Sequence, residues 1–138
     1  MIHHEGTKGT KRTKEEAMVV SHAVIGAAIE VHRQLGPGLL ESIYERALCR
    51  ELWLRGVPSE RQVLLPVAYK GVDLDVAVRL DLIVEGKVIV EVKAVEALAP
   101  IHRAQLLTYL KLSALPLGLL LNFNVTLLRH GVRRIFHG

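Results

Sequence analysis

Residues 88–93 read Val-Ile-Val-Glu-Val-Lys, and the rest of the chain is interpreted from this stretch. Its β-branched apolar residues favour a buried strand, yet an acid, Glu91, and a lysine, Lys93, stand at its end. Side chains alternate between the two faces of a strand, so Glu91 and Lys93 point the same way, with Ile89 below them. Burying an ion pair costs free energy, and apolar residues at these positions would usually stabilise the fold equally well or better. Because a second acid, Asp81, lies ten residues upstream, the pattern indicates a functional site.

The connection between Asp81 and Glu91 provides a test of that site. Glu85-Gly86 is a turn signal between two predicted strands. A strict two-residue turn there would place Asp81 opposite Val90, with its side chain on the face away from Glu91. Both acids converge only with a three-residue connection at residues 85–87, a bulge or a sharp strand bend.

Asp81, Glu91 and Lys93 together suit a divalent metal ion. Mg²⁺ prefers few carboxylates and leaves its other positions to water and substrate phosphate. A nearby lysine can orient or help deprotonate a water, or offset charge that builds on a phosphate. We therefore expect Mg²⁺, with Mn²⁺ as a substitute. The alternative is a surface ion pair of Glu91 and Lys93, which would be worth about 0–1 kcal/mol.

Composition narrows the class of protein. The chain has 138 residues, half of them hydrophobic, which fits one domain. A net charge of +4 and a pI of about 9.5 suit an anionic partner such as nucleic acid, although many unrelated proteins share them. Cys49 is the only cysteine, so neither an internal disulfide nor a cysteine metal cluster is expected. No apolar run is long enough for a membrane span and no signal core is present, so we expect a cytoplasmic protein.

The order of predicted elements indicates an α/β fold. Residues 1–14 are basic and polar and are expected to form a flexible tail, and residues 15–138 a single domain. Apolar periodicity and the positions of Gly and Pro predict helices at about 15–35, 39–55 and 100–113, and strands at 61–69, 73–84, 87–93, 117–123 and 132–136. A sheet with helices on both faces is the economical way to bury these elements.

Three sequence elements together resemble a known superfamily. Asp81, then Glu91-Val92-Lys93, then Gln105-Leu106-Leu107-Thr108-Tyr109 resemble the PD-(D/E)xK nuclease superfamily, and the QxxxY element is similar to that of its RecB-like branch. The stretch Gly38-Leu39-Leu40-Glu41-Ser42-Ile43-Tyr44 is similar to the motif that names the GxxExxY protein family, generally placed in that superfamily. The resemblance extends from about residue 17 to the C-terminus. In one departure, Leu80 replaces the proline of the motif.

The resemblance implies a restriction-endonuclease-like core with three α/β/α layers and a mixed sheet of about four to five strands. It implies that Asp81 and Glu91 are metal ligands, that the main-chain carbonyl of Val92 assists them, and that Lys93 is the catalytic lysine.

The resemblance also brings helical residues to the site. Gln105 and Tyr109 would line it and contact substrate or water, and Glu41 would complete it. For Glu41 the alternative is an ordinary exposed helix acid. Gln105 could instead hydrogen-bond a neighbouring strand. Tyr44 is interpreted as an aromatic residue that packs in support of the site.

The leading functional hypothesis is a Mg²⁺-dependent nuclease that hydrolyses phosphodiester bonds of DNA, with RNA as the less favoured substrate. The alternatives are a catalytically silent nuclease-fold module that binds nucleic acid or a protein partner, and an accessory subunit of a larger nucleic-acid-processing complex. A homodimer would suit a compact nuclease, since two sites could address two strands.

Overall fold

A computed structural model of the protein describes the main chain of residues 2–138 and the side chains of residues 13–138. Within these residues the elements are α1 (Ile2–Leu35), α2 (Glu41–Leu54), β1 (Ser59–Tyr69), β2 (Val72–Val84), β3 (Val88–Lys93), α3 (Pro100–Ser113), β4 (Leu117–Asn122), a short 3₁₀ helix (Leu128–Gly131) and β5 (Val132–Phe136). Apart from Thr13 and Lys14, the tail predicted at residues 1–14 lies outside the fully described part, and it stays a prediction.

The five strands form one mixed sheet in the order β1-β2-β3-β4-β5. All neighbouring pairs are antiparallel except β3 and β4, which run parallel. Parallel neighbours need a crossover, and α3 supplies it by connecting β3 to β4. The predicted site residues Glu91 and Lys93 therefore lie near the carboxyl end of β3, where the chain leaves the sheet for the crossover.

Helices α1 and α2 cover one face of the sheet. The buried residues of this layer include Val24 and Ala28 of α1, Leu48 and Leu52 of α2, and Val90 of β3. These buried apolar side chains from two helices and the sheet form the larger of the two hydrophobic cores.

Helix α3 covers the opposite face, where Leu106 and Leu110 pack with Ile89 of β3 and Leu120 of β4. Gly118 of β4 permits the close approach, since a Cβ atom there would lie 2.8 Å from Cδ1 of Leu106. The expected α/β/α arrangement with a mixed sheet of four to five strands is thus confirmed.

No helix in the described part of the chain is long and apolar enough to cross a membrane.

Candidate active site

The β2–β3 connection has the register that convergence of the two acids requires. Val84 pairs with Val88 and Leu82 with Val90, so three residues, Glu85 to Lys87, connect the strands. Glu85 and Gly86 both have positive φ, at 51° and 64°, and the N–H of Lys87 donates to the carbonyl of Val84. Continued by one residue, this register brings Asp81 opposite Glu91.

Each acid accepts a hydrogen bond from a main-chain N–H of the other strand, beyond the last regular pair of β2 and β3. The N–H of Asp81 donates to Oε2 of Glu91 over 2.9 Å, and the N–H of Val92 donates to Oδ2 of Asp81 over 2.8 Å. Within the described residues, Oδ1 of Asp81 and Oε1 of Glu91 accept no hydrogen bond, and no side-chain polar atom there is both fully buried and unpartnered. One oxygen of each acid is therefore accessible to a ligand.

A change of face in β2 brings Asp81 to this position. Leu82 and Val84 pack in the core beneath α1 and α2, whereas Leu80 packs in the core beneath α3. Residues two apart in a regular strand share a face, so the strand rotates between Leu80 and Leu82. Asp81 lies at this rotation, which accompanies the three-residue connection that the sequence analysis required.

The environment of the acids disfavours their negative charges. Burial raises the pKa of Glu91 to about 8, and the charge of Asp81 adds to the rise, while the N–H of Asp81 and the charge of Lys93 oppose it. Burial is also the main cause that raises the pKa of Asp81, which the N–H of Val92 counteracts. Two carboxylates that repel each other in a desolvated position would be stabilised by a cation.

Lys93 completes the strand side of the site. It is half-buried at the end of β3, and its charge acts on both acids by lowering the pKa of Asp81 and of Glu91. Its carbonyl accepts the N–H of Phe123 over 2.9 Å, which fixes its main chain against the end of β4. Alternation along β3 places the Lys93 side chain on the same face as Glu91.

Glu41 lies next to the chain that leaves β3. Its Oε2 accepts the N–H of Ala94 over 3.2 Å, and its charge contributes to the raised pKa of Asp81. Glu41 belongs to the first turn of α2, so it approaches from the layer opposite α3. The structure thus brings Glu41 beside the strand residues.

Tyr44 holds the loop from which α2 begins. Its hydroxyl donates to the carbonyl of Gly36 over 2.5 Å and accepts the N–H of Leu39 over 3.1 Å. Its ring stacks on Phe123, with centroids 4.6 Å apart. The interpretation of Tyr44 as a packed supporting aromatic agrees with these contacts, because they orient the turn that carries Glu41.

The two polar residues predicted on α3 differ in their placement. Burial raises the pKa of Tyr109, and the charges of Glu91 and Asp81 add to the rise, so Tyr109 lies close enough to sense both acids. Gln105 is exposed, and among the described residues its side chain makes no hydrogen bond. The structure therefore brings Tyr109 near the acids, and it leaves Gln105 exposed on α3 without a hydrogen bond to them.

Two further residues, Glu45 and Asn122, were not predicted. Glu45 is 5% exposed, and its charge contributes to the raised pKa of both Asp81 and Glu91. It lies four residues after Glu41, so helical spacing alone could have suggested it. Asn122 exchanges two hydrogen bonds with the main chain of Val95 and so holds the loop that follows Lys93. No sequence pattern indicated Asn122.

The donor atoms fit a hard divalent cation with few protein ligands. Among the described residues, no group of three or more His, Cys, Asp or Glu is arranged to hold a metal ion, so Asp81 and Glu91 form a pair. Mg²⁺ is commonly held by one or two carboxylates with several waters. In a strand the N–H and carbonyl of one residue point to the same side. The N–H of Val92 bonds Asp81 of β2, and its carbonyl accordingly faces β2 as well.

A separate cavity of about 600 Å³ lies between the end of α1 and residues 126–129, lined by His32, Pro37 and Leu128 among others. None of the acids contributes to it, and Nε2 of His32 is already 2.7 Å from the carbonyl of Val125. This cavity is therefore separate from the acids of β2 and β3.

In a comparison with protein families, residues 18–135 match the family described as the PD-(D/E)XK nuclease superfamily. The matched range includes both acids, Lys93 and the neighbouring residues of α2 and α3. Neither the comparison with curated proteins nor that with solved structures found a significant match.

Proposed function

Because the chain belongs to the PD-(D/E)XK nuclease superfamily, we propose that it is a metal-dependent nuclease that hydrolyses phosphodiester bonds of DNA in preference to RNA. The observation that carries the proposal is the reciprocal bonding at the two acids, which leaves one accessible oxygen on Asp81 and one on Glu91. Nucleases of this superfamily generally use divalent metal ions. We propose Mg²⁺, with Mn²⁺ as a substitute.

The proposed metal ligands are Asp81, Glu91 and the main-chain carbonyl of Val92. When bound, a divalent ion supplies Lewis-acid chemistry that polarises the scissile phosphate and helps to generate a nucleophile. The two N–H groups that bond the acids orient the carboxylates before substrate arrives. Because burial and Asp81 raise the pKa of Glu91 to about 8, this carboxyl group would lose its proton near neutral pH when it holds a cation.

Lys93 is the proposed catalytic lysine. Its Nζ would donate a hydrogen bond to a non-bridging phosphate oxygen and stabilise the charge that develops there. Glu41 would hold water or substrate groups from the α2 side, and the hydroxyl of Tyr109 from the α3 side. We assign the exposed Gln105 to contact with bound nucleic acid rather than to the acids.

Purified protein incubated with Mg²⁺ or Mn²⁺ on single-stranded, duplex and branched DNA, and on RNA, tests the proposal. We expect cleavage that EDTA abolishes and that Asp81→Ala and Lys93→Ala both eliminate, while circular dichroism shows an unchanged fold. Absence of cleavage on every substrate would contradict the proposal.

The same assay distinguishes the alternatives. Salt-sensitive nucleic-acid binding without cleavage, unaffected by Lys93→Ala, would identify a silent binding module. Cleavage that appears only with partners captured from the native host would identify an accessory subunit. A homodimer with two sites would be detected by the mass of the purified protein in solution.

A further inference from the structure

The pairing of β1 with β2 is interrupted at one position beside the acids. Regular pairs join Arg61 to Leu82 and Val63 to Leu80, but the intervening pair, Gln62 with Asp81, is missing. Gln62 has a φ of 53°, a left-handed conformation that non-glycine residues rarely adopt. The register is the same on both sides of the interruption, so no residue is inserted and the two strands change conformation together.

Both strands change face at this interruption. On β1, the side chain of Arg61 reaches Glu45 of α2, whereas Val63 packs in the core beneath α3. On β2, Leu82 packs in the core beneath α1 and α2, whereas Leu80 packs in the core beneath α3. The left-handed residue Gln62 therefore stands directly across from the point where Asp81 leaves the regular ladder.

A buried carboxylate bonds the side chain of Gln62. Nε2 of Gln62 donates to Oε1 and Oε2 of Glu45 over 2.7 and 3.0 Å, and Nε of Arg61 donates to Oε2 over 2.9 Å. Glu45 is 5% exposed, and these bonds use both of its oxygens. Glu45 is close enough to raise the pKa of Asp81 and Glu91, but both of its oxygens already accept hydrogen bonds from β1.

From this geometry we propose that Glu45 and Gln62 are positioning residues: Glu45 holds the left-handed main chain of Gln62, and that conformation turns β2 so that Asp81 faces Glu91. This inference rests on the proposed function in one respect, since it takes metal binding as the purpose of the arrangement. In either case, the position of Asp81 depends on the main-chain conformation of Gln62.

Two substitutions at residue 62 separate the main-chain conformation from the side-chain bonds. Gln62→Gly loses the bonds to Glu45 but adopts positive φ freely. Gln62→Val loses the same bonds and, being β-branched, opposes positive φ. Leu64→Val is the matched control, since Leu64 is an exposed β1 residue in a regular pair with Arg79.

The readouts are Mn²⁺ binding, followed by electron paramagnetic resonance, and amide hydrogen exchange of Asp81 and Val92, followed by NMR without metal. Gln62→Val should weaken Mn²⁺ binding by about 10–100-fold, the loss typical of residues that orient metal ligands, and should speed exchange at both amides. Gln62→Gly should lose clearly less, and Leu64→Val should change neither readout. Equal losses in Gln62→Val and Gln62→Gly, or no loss in either, would overturn the inference.

A double-mutant cycle with Glu45→Gln gives a second test that does not need Gln62→Val to fold. Glu45→Gln should weaken Mn²⁺ binding and amide protection in the wild-type chain but add little in the Gln62→Gly background, because its effect passes through Gln62. Additive effects would overturn the inference and indicate a purely structural ion pair with Arg61. If wild-type protein binds no Mn²⁺, the proposed function fails, and the amide exchange of the variants still decides the positioning role.

Discussion

The main-chain N–H of Asp81 donates to Oε2 of Glu91 over 2.9 Å, just beyond the last regular pair of the two strands, Leu82 with Val90. The carboxylate of Glu91 thus bonds the main chain of β2, and Oδ2 of Asp81 bonds the main-chain N–H of Val92 on β3. Each acid is oriented by the strand that carries the other. Their geometry consequently depends on the register of the two strands and not on side-chain rotamers alone.

Neutralising either acid should remove metal binding and cleavage together. Asp81→Asn retains the shape of the side chain and an oxygen that can accept the N–H of Val92, but it loses the charge. We expect Mn²⁺ binding and cleavage to fall by more than the roughly 10–100-fold typical of outer-shell partners. Asp75→Asn is the matched control, because Asp75 is an exposed β2 acid with positive φ, which Asn tolerates. Equal activity of Asp81→Asn and Asp75→Asn would contradict the assignment.

The stability of the metal-free protein should decrease as the pH rises toward 8. Burial and the charge of Asp81 raise the pKa of Glu91 from 4.5 to about 8, so between these values the folded state binds a proton that the unfolded chain has released. The free energy of unfolding therefore decreases with increasing pH across this window.

Urea unfolding in EDTA at several pH values from about 5 to 8 would measure this effect. Glu91→Gln should flatten the pH dependence, because glutamine does not ionise, and Mg²⁺ should restore stability only to the wild-type chain. The same slope in both proteins would show that another group dominates the titration.

Lys93→Met should separate chemistry from metal binding. Methionine retains most of the side-chain length but removes the charge, so we expect kcat to fall by about 10²–10³-fold, as for loss of a transition-state donor. Mn²⁺ affinity should be retained or increase, because a cation beside Asp81 and Glu91 has been removed. Lys111→Met serves as the control, because Lys111 is an exposed residue of α3. Loss of Mn²⁺ binding in Lys93→Met would instead indicate a structural role.

Tyr44→Phe should lower stability while it preserves ring stacking on Phe123. The carbonyl of Gly36 and the N–H of Leu39 lose their common partner, which should cost about 1–2 kcal/mol in the free energy of unfolding. Cleavage should fall less than in Asp81→Asn, because Tyr44 acts only by orienting the start of α2. Chemical unfolding and a cleavage assay on the same preparation would check both parts. An unchanged free energy of unfolding would contradict the role of the Tyr44 hydroxyl in holding the loop before α2.

The two α3 residues should differ kinetically. Tyr109→Phe removes a hydroxyl whose pKa is raised by burial and by Glu91 and Asp81, so we expect it to lower kcat. Gln105→Ala removes an exposed side chain, and we expect a higher KM for nucleic acid with kcat nearly unchanged. Steady-state kinetics on one DNA substrate would distinguish them, and the opposite pattern would reverse the two assignments.

Sequence patterns predicted most of what depends on neighbours along the chain. The apolar residues of β3, the turn residues Glu85 and Gly86, and Pro100 at the start of α3 indicated these elements to within a few residues. Strand parity also identified the register on which a shared site depends, and the observed pairing has that register.

Other features of the site arise between segments that are distant in sequence. Glu45 meets Gln62 across 17 positions, and Asn122 meets Val95 across 27, so neither contact leaves a local pattern. The exposure of Gln105 also leaves no local pattern, since it depends on how α3 packs on the sheet.

The sequence by itself determined the strands, the order of the layers and the residues with the right chemistry, because hydrophobic periodicity and turn propensities act over a few residues. Only the tertiary structure decided that Asp81 faces Glu91 and that Leu80 and Leu82 enter different cores. The physical reason is that these contacts join segments distant in sequence: Glu91 on β3 accepts the main-chain N–H of Asp81, and Glu45 on α2 accepts the side-chain amide of Gln62.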